Sequence, residues 1–116
     1  MGKAKLKIVS YMEIRTKVVG VTQPGRQEII RKRLKAGSPL LLVPEPNNPV
    51  DPNAVAVYVP AGTFKGSQQI GYLPGSRARQ ILDLLAAGKR LKVSVSEVTG
   101  GVEGKETRGV NVLVVY

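Results

Sequence analysis

The chain has 116 residues, enough for one domain with a buried core, and Lys and Arg outnumber Asp and Glu 18 to 8, for a formal charge of +10. It has no Cys and no His, which excludes disulfides, zinc sites built on those residues, thiol nucleophiles and Ser-His-Asp triads. No apolar run is long enough to span a membrane or to form a signal peptide, so we expect a cytoplasmic protein, nucleoid-associated if bacterial. The positive charge favours nucleic acid over an acidic protein as the partner.

Residues 1–14 are predicted to form a basic arm or an edge strand, because Lys3, Lys5 and Lys7 alternate with apolar residues. The domain itself is predicted over 15–116.

The first half of the domain reads as strand, helix, strand. Residues 15–21 are typical of a strand, and 27–36 of a helix in which Ile30 and Leu34 are spaced to face the core. A continuous apolar strand is predicted over 38–43.

The second half is predicted to add one more helix, with Ser76 as its N-cap and Gly88 just past its end. The turn 99–109 is rich in Gly and is expected to be mobile and exposed. Four further strands are predicted over 54–59, 68–73, 91–98 and 110–116.

A weak internal repeat relates Gly20 to Gly71 and Leu34 to Leu85 at a common offset, and it indicates two strand–turn–helix–strand units. Short strands outnumber the helices. The predicted fold is therefore mainly β with two helices (α+β), in the form of a small OB-like barrel of about six strands with the helices packed on it.

Between two of the apolar strands lies a polar loop, 44–54, that holds four of the eight prolines. Pro46, Pro49 and Pro52 stand three residues apart, which favours an extended, polyproline-like backbone that loses little entropy on ordering. Such a loop can present amides and a carboxylate to a ligand. An ordinary turn, or a Pro-rich peptide ligand, would also fit the composition.

This loop and a later strand end resemble the HIRAN domain, whose members show Asn-Pro-x-Asp-x-Asn-Ala before a strand and then a Gly-aromatic/His-Leu turn before a helix. The resemblance covers roughly 17–116 and implies a modified OB-type barrel that binds the free 3′ end of single-stranded DNA. Members occur alone in bacteria and viruses, or at the front of SWI/SNF-type ATPases that remodel stalled forks. It is carried by Pro46-Asn47-Asn48-Pro49-Val50-Asp51-Pro52-Asn53-Ala54-Val55 and Ile70-Gly71-Tyr72-Leu73-Pro74.

The resemblance implies that Asn47, Asn48, Val50, Asp51 and Tyr72 line the pocket for the DNA end. A carboxylate such as Asp51 accepts a hydrogen bond from a terminal 3′-hydroxyl and repels a phosphate. The amides of Asn47 and Asn48 can bond base edges or sugar. A ring such as Tyr72 stacks on a base, which is worth roughly 1–3 kcal/mol.

The sequence also departs from the family pattern. Val50 replaces an aromatic residue of the end-binding members, and Thr22-Gln23 stand where those members carry an Arg-aromatic pair. Phosphate contacts are expected instead from the basic first helix, with Arg26 at its start. Arg77 and Arg79, in the first turn of the second helix, are expected to hold phosphates as well. Binding would then be looser and more salt-sensitive, or directed to RNA or duplex DNA.

The leading hypothesis is a non-catalytic binder of single-stranded DNA near a 3′ end, in repair or fork processing, with no cofactor and no metal. One alternative is an interaction or regulatory module whose basic surface meets an acidic protein or a partner helicase, ATPase or nuclease. Another is a metal-dependent nuclease using Glu45 and Asp51, which is disfavoured because two-metal sites need more converging carboxylates. The oligomeric state is left open.

Overall fold

The computed structural model describes residues 10–63 and 65–116. The predicted α+β content of six strands and two helices is confirmed. Most of the predicted arm or edge strand over 1–14 lies outside the described residues. The elements in chain order are β1 (Glu13–Lys17), α1 (Arg26–Arg33), β2 (Leu41–Pro44), β3 (Val55–Val59), β4 (Gln68–Tyr72), α2 (Gly75–Ala86), β5 (Lys92–Thr99) and β6 (Gly109–Val115).

The strands form two antiparallel three-stranded sheets, ordered β1-β6-β5 and β2-β3-β4. This differs from the predicted OB-like barrel, in which one continuous sheet would close on itself. Single bridges join the two sheets instead, one between Val19 and Tyr72 and one between Pro39 and Ser94. The ladders stop there because the chain turns away at once, after Val19 towards α1 and after Tyr72 towards α2.

Gly71 makes the first of these junctions possible. A Cβ built on Gly71 would lie 2.2 Å from the carbonyl oxygen of Val19, closer than any real Cβ contact. With no side chain at this position, Val19 and Tyr72 exchange two backbone hydrogen bonds, of 2.8 and 3.0 Å.

The chain contains the two similar units that the internal repeat predicts. Each unit has the predicted order of strand, helix and strand and is followed by one further strand, which the repeat did not predict: β1-α1-β2-β3 and then β4-α2-β5-β6. Each unit also pairs its first strand with the last strand of the other, β1 with β6 and β4 with β3. The halves are therefore interlocked and share one core.

The core lies between the two sheets and the helices, and it is built mainly of valine and isoleucine, whose branched side chains suit a pleated surface. The inward residues of β6 alternate with half-buried ones, as expected for a sheet with one covered face. The largest fully buried side chains are Ile30, Ile70, Ile81, Val55, Val57, Val95, Val110, Val112 and Val114.

Helix α1 is shorter than its sequence pattern suggests. It ends at Arg33, and Leu34 already has extended dihedral angles (φ −115°, ψ 139°) while its side chain is buried. The chain leaves the helix early because Gly37, at φ 89°, turns it so that its N–H donates to the carbonyl of Val95 at 2.7 Å.

The boundaries of α2 correct one prediction and confirm another. Ser76 is not the N-cap: the helix begins at Gly75, and no side chain caps it. Its end is as predicted, since Gly88 has φ 76°, its N–H donates to Leu85 O, and the N–H of Lys89 donates to Leu84 O, which is a Schellman motif.

The turn between β5 and β6 is more structured than expected. Val102 and Lys105 are bridged by two backbone hydrogen bonds. The side-chain amide of Gln27, in α1, donates to Arg108 O at 2.9 Å and accepts from Arg108 N at 2.8 Å. This turn is thus pinned to α1.

Neither described helix is long and apolar enough to cross a membrane.

Candidate nucleic-acid interface

The proline loop is held together by its own backbone. Glu45 N donates to Ala54 O at 2.9 Å, which continues the β2-β3 ladder into the loop. Two tight turns follow, closed by Asn48 N to Glu45 O and by Ala54 N to Asp51 O, both at 3.0 Å. Because proline has no backbone N–H, the loop has few donors that need an acceptor, and these few bonds are enough to order it.

Asn48 braces the loop from inside. Its Oδ1 accepts from the N–H groups of Val50 at 2.9 Å and Asp51 at 3.1 Å, and its Nδ2 donates to Glu45 Oε1 at 2.9 Å. Both ends of the amide are therefore engaged within the protein. This geometry makes Asn48 a positioning residue for the loop, with little capacity left to bond a base.

Glu45 ties the loop to the neighbouring strand. Its Oε1 accepts a second hydrogen bond, from the Tyr72 hydroxyl at 2.9 Å. This carboxylate fixes the ring of Tyr72 beside the loop. The sequence suggests Glu45 only as a metal ligand, because its contact with Tyr72 joins residues that are far apart in the chain.

A cavity of about 340 Å³ opens between the loop and the start of α2. It brings together four of the predicted site residues. Its lining is Asn48, Val50, Asp51, Ala54, Tyr72, Leu73, Gly75 and Ala78.

Asp51 lies half-buried in this cavity. Its Oδ1 accepts the backbone N–H of Asn53 at 2.8 Å, as in an Asx turn. Among the described residues no hydrogen bond is made to its second oxygen. The carboxylate thus combines the turn role that composition alone suggested with one oxygen that remains to accept another donor.

Val50 forms the tip of the loop and is 92% exposed. The rigid backbone on both sides holds this apolar side chain out towards solvent at the mouth of the cavity. It offers a small apolar contact where the family pattern has an aromatic ring.

Asn47 points into a second hollow, of about 460 Å³, on the other side of Tyr72. Glu45 lines this hollow too, whereas Asp51 lines the first one. The two carboxylates therefore face different spaces. Within the described residues no group of three or more acidic side chains lies where it could hold a metal ion.

Neither of the two arginines predicted on α2, Arg77 and Arg79, lines the Asp51 cavity. Gly75 and Ala78 face the Asp51 cavity, but Arg77 lies on the opposite side of the helix start, in a separate groove. Its Nη1 donates to Gln80 Oε1 at 2.9 Å. Arg79 is exposed and lines neither space. The Asp51 cavity itself has no cationic side chain in its lining.

Thr22 and Gln23 lie in the turn that precedes α1, and Arg26 is the first residue of that helix; none of the three lines the Asp51 cavity. The bridge between Val19 and Tyr72 brings this turn to the same end of the sheets as the cavity. Thr22 and Gln23 are exposed, while Arg26 Nη1 donates to Gly20 O at 2.8 Å. Arg26 therefore holds the turn in shape.

The cations of α1 are partly neutralised. Glu28 pairs with Arg31 at 2.6 Å and with Lys32 at 3.0 Å. The hydrogen bonds from Arg31 and then Lys32 lower the pKa of Glu28 from 4.5 to about 2, and the same contact raises the pKa of Arg31. Arg33 is bound to Gln68 and Pro60 O. The helix is a weaker phosphate surface than its composition suggests.

Comparison with known proteins decides the family. Residues 11–112 match the model of the HIRAN domain. The chain belongs to the HIRAN domain family. HIRAN domains are DNA-binding modules, so membership assigns this chain to the nucleic-acid-binding modules, as the charge and the loop motif predict.

Two crystal structures share the HIRAN fold of this chain. One is the HIRAN domain of human HLTF, with a TM-score of 0.61 and 18% identity over 89% of this chain and 73% of that one. The other is a protein from Lactobacillus plantarum, also with a TM-score of 0.61 and 18% identity, over 91% of this chain and 98% of that one. No curated protein sequence matches the chain.

Proposed function

We propose that this HIRAN domain is a non-catalytic module that binds single-stranded DNA at or near a free 3′ end. The observation that carries the proposal is the Asp51 carboxylate, which lines a cavity with one oxygen committed to the loop and the other without a partner in the described structure. A terminal 3′-hydroxyl is a donor that such an oxygen can accept.

The charge of Asp51 supplies the discrimination. A 3′-phosphate at the same place would bring two anions together beside apolar residues such as Leu73 and Ala78, where water screens poorly. An internal nucleotide has no free 3′-hydroxyl to donate. A free end is therefore favoured over both.

The terminal base is proposed to contact Tyr72, whose ring lines both the Asp51 cavity and the hollow of Asn47. The bond from its hydroxyl to Glu45 holds the ring in place before the ligand arrives, so little ordering entropy opposes stacking. Val50 adds an apolar contact at the tip of the loop, and Asn47 is the amide with a free face for the base or sugar.

The remaining predicted residues are assigned to the backbone of the strand. Arg77 is proposed to bind phosphate, with Arg79 further along the exposed face of α2. Thr22 and Gln23 can donate from the turn at the same end of the sheets, and Arg26 supports them by holding that turn. We place the module in the cytoplasm, in DNA repair or fork processing, working beside a helicase, ATPase or nuclease.

The test is a fluorescence-anisotropy titration of one oligonucleotide sequence with a 3′-hydroxyl, with a 3′-phosphate and as a circle without ends. Wild type is expected to favour the 3′-hydroxyl form. Asp51→Asn keeps an oxygen for the Asn53 N–H and removes the charge, so affinity for the 3′-hydroxyl form is expected to fall about ten- to hundredfold, as for a lost hydrogen bond to a charged group.

Asp83→Asn is the matched control, because it removes one exposed carboxylate of α2 away from the cavity. It should leave the preference intact. Equal binding of all three forms by wild type would overturn the end-specific proposal, and running an RNA of the same sequence and a duplex alongside identifies the preferred nucleic acid.

A second candidate function, binding of an acidic protein segment, is favoured by a hollow of about 520 Å³ between α1 and the β3-β4 loop. Ile29 gives it an apolar wall, and Lys32 and Lys65 stand among its lining residues. A partner that co-purifies after nuclease treatment, with no oligonucleotide binding by the domain, would favour this function over the first.

A further inference from the structure

A groove of about 600 Å³ lies on the far side of the α2 start from Asp51. Strand β1 contributes Arg15 and Lys17 to it, and the first turn of α2 contributes Arg77. One strand that is distant in sequence from this helix therefore adds two cations to the one from α2, and all three surround one space. No sequence motif groups Arg15 and Lys17 with Arg77, because only the fold brings them together.

The register of the sheet fixes the far wall of the groove. Lys17 pairs with Asn111 on β6, and Asn111 pairs with Glu97 on β5, so the three side chains form a row across one face. Arg15 is two residues from Lys17 and faces the same way. The strand pairing is interrupted by a bulge between Val95 and Glu97, a device that re-aims side chains next to binding sites.

The groove has the chemistry of a phosphate site. Three cations face one carboxylate, Glu97, and hydroxyl and amide donors stand between them. Arg15 is free to exchange partners: its ion pair with Glu13 is long, at 3.4 Å, and the two side chains are 67% and 51% exposed. Exposed pairs of this kind are worth only about 0–1 kcal/mol, so a phosphate replaces Glu13 readily.

The groove continues the Asp51 cavity. Gly75 lines the cavity, while its neighbours Pro74 and Ser76 line the groove. Adjacent residues are 3.8 Å apart at their Cα atoms, so the two spaces are separated by little more than the backbone of the helix start. A strand that ends in the cavity reaches the groove within its next nucleotides, consistent with sites of about 4–16 nucleotides on small β domains that bind single strands.

We propose that this groove binds the sugar–phosphate backbone of the nucleotides that lie 5′ of the terminal two. Arg15 and Lys17 hold the phosphates from the β1 side and Arg77 from the helix side, and Glu97 limits the contact by repelling them. The inference rests on the proposed function for the position of the strand end, but the groove itself requires only a single strand of nucleic acid.

The test compares 3′-hydroxyl oligonucleotides of two, four and eight nucleotides bound to wild type and to the double variant Arg15→Ala/Lys17→Ala. Wild type is expected to gain affinity with length. The variant should bind the dinucleotide within about twofold of wild type and gain little with length. The slope of log K against log salt for the octamer should fall by about one to one and a half, since each phosphate contact on a single strand contributes about 0.7.

The matched control is Lys89→Ala/Arg90→Ala, which removes the same formal charge at the other end of α2, about 18 Å away along a helix of 12 residues. The proposal would be overturned if the two double variants lost octamer affinity equally, or if dinucleotide binding were weakened as much as octamer binding. The preference for a 3′-hydroxyl over a 3′-phosphate is read in the same titrations. If this preference is absent but the Arg15/Lys17 variant still loses octamer affinity specifically, the end-binding proposal is rejected and the groove proposal stands.

Glu97→Gln gives a change in the opposite direction, which damage to the fold would not produce. Removing the one carboxylate of the groove is expected to tighten octamer binding about two- to fivefold at low salt, the size expected for one charge interaction in water. The dinucleotide should be unaffected. An unchanged or weaker octamer would contradict the proposed path of the strand.

Discussion

One carboxylate oxygen, Oε1 of Glu45, accepts hydrogen bonds from Asn48 and from Tyr72. Through these two bonds it sets the shape of the loop and the position of the ring that the loop faces. Asp51 is held at the cavity wall by its own N–H, which donates to Asn48, and by its Oδ1, which accepts from the N–H of Asn53. At the scale of single residues, the site is held in place by short hydrogen bonds. Removing one of these bonds should change the stability of the fold separately from the affinity for the ligand.

We predict that Tyr72→Phe separates support from binding. The ring stays for stacking, so oligonucleotide affinity should change less than threefold, whereas the lost bond to Glu45 should reduce the free energy of unfolding by about 1 kcal/mol. Urea unfolding followed by circular dichroism measures the second effect. Tyr58→Phe, whose hydroxyl makes no bond to another described side chain, is the matched control and should be near neutral. An equal loss of unfolding free energy in both variants would show that the hydrogen bond from Tyr72 to Glu45 does not stabilise the fold.

At the scale of elements, the proline loop and α1 are ordered by different means. The loop uses prolines, tight turns and Asn48, and needs no packing over its tip. Helix α1 has eight residues, too few to be stable alone, and depends on burial of Ile30 in the core and on the exposed pairs of Glu28. Part of the stability of α1 should therefore follow the titration of Glu28.

The expected pH dependence follows from the pKa of Glu28. Its value in the folded chain, about 2, lies below the ordinary 4.5, so the stabilisation is fully present above about pH 4.5 and is lost as the pH falls to about 2. Glu28→Gln should thus lower the unfolding midpoint in urea at pH 6 and have little effect near pH 2. Because the side chain of Glu28 is 54% exposed, the difference should be small and should shrink with added salt.

Glu106→Gln, in the exposed turn between β5 and β6 and outside the ion pairs of the described structure, is the control for general charge effects. A difference between Glu28→Gln and wild type that persists unchanged down to pH 2 would show that the ion pairs are not its cause.

At the scale of the whole molecule, the two βαββ units cannot separate without breaking both sheets. Strand β1 of the first unit lies at the edge of β6, and β4 of the second lies at the edge of β3. Gln27 of α1 also holds Arg108 in the second unit. Each half completes the other, although the chain order alone suggests two consecutive pieces.

We therefore predict a single cooperative unfolding transition. Tyrosine fluorescence reports on rings in both halves, including Tyr58 and Tyr116, while far-ultraviolet circular dichroism reports on the helices, so the two urea curves should coincide. Val57→Ala and Val112→Ala, one in each sheet, should shift both curves together. Curves with separate midpoints would contradict the interlocked core.

The sequence predicts most of the elements because local signals coincide there: the alternation around Val57, the buried Ile30 and the glycine after α2 each belong to one segment. It does not predict how the strands divide into two sheets, since pairing depends on contacts that are distant in the chain. The loop motif does indicate Asp51 and Tyr72 as candidate site residues. The support from Glu45 and the grouping of Arg15 with Arg77 are missed, because both depend on contacts between distant parts of the chain. The helix boundaries differ where a backbone bond, such as Gly37 to Val95, overrides periodicity.

The separation of the Asp51 cavity from the cationic groove has a kinetic meaning. If the proposed function holds, positive charge attracts a strand from a distance and in any orientation, whereas the cavity contacts only its last sugar. Added salt should therefore slow the arrival of the strand far more than it hastens departure, and loss of the Asp51 charge should shorten the residence time of a correct end. Under this proposal, the initial attraction of the strand and the recognition of its end take place on opposite sides of one helix start.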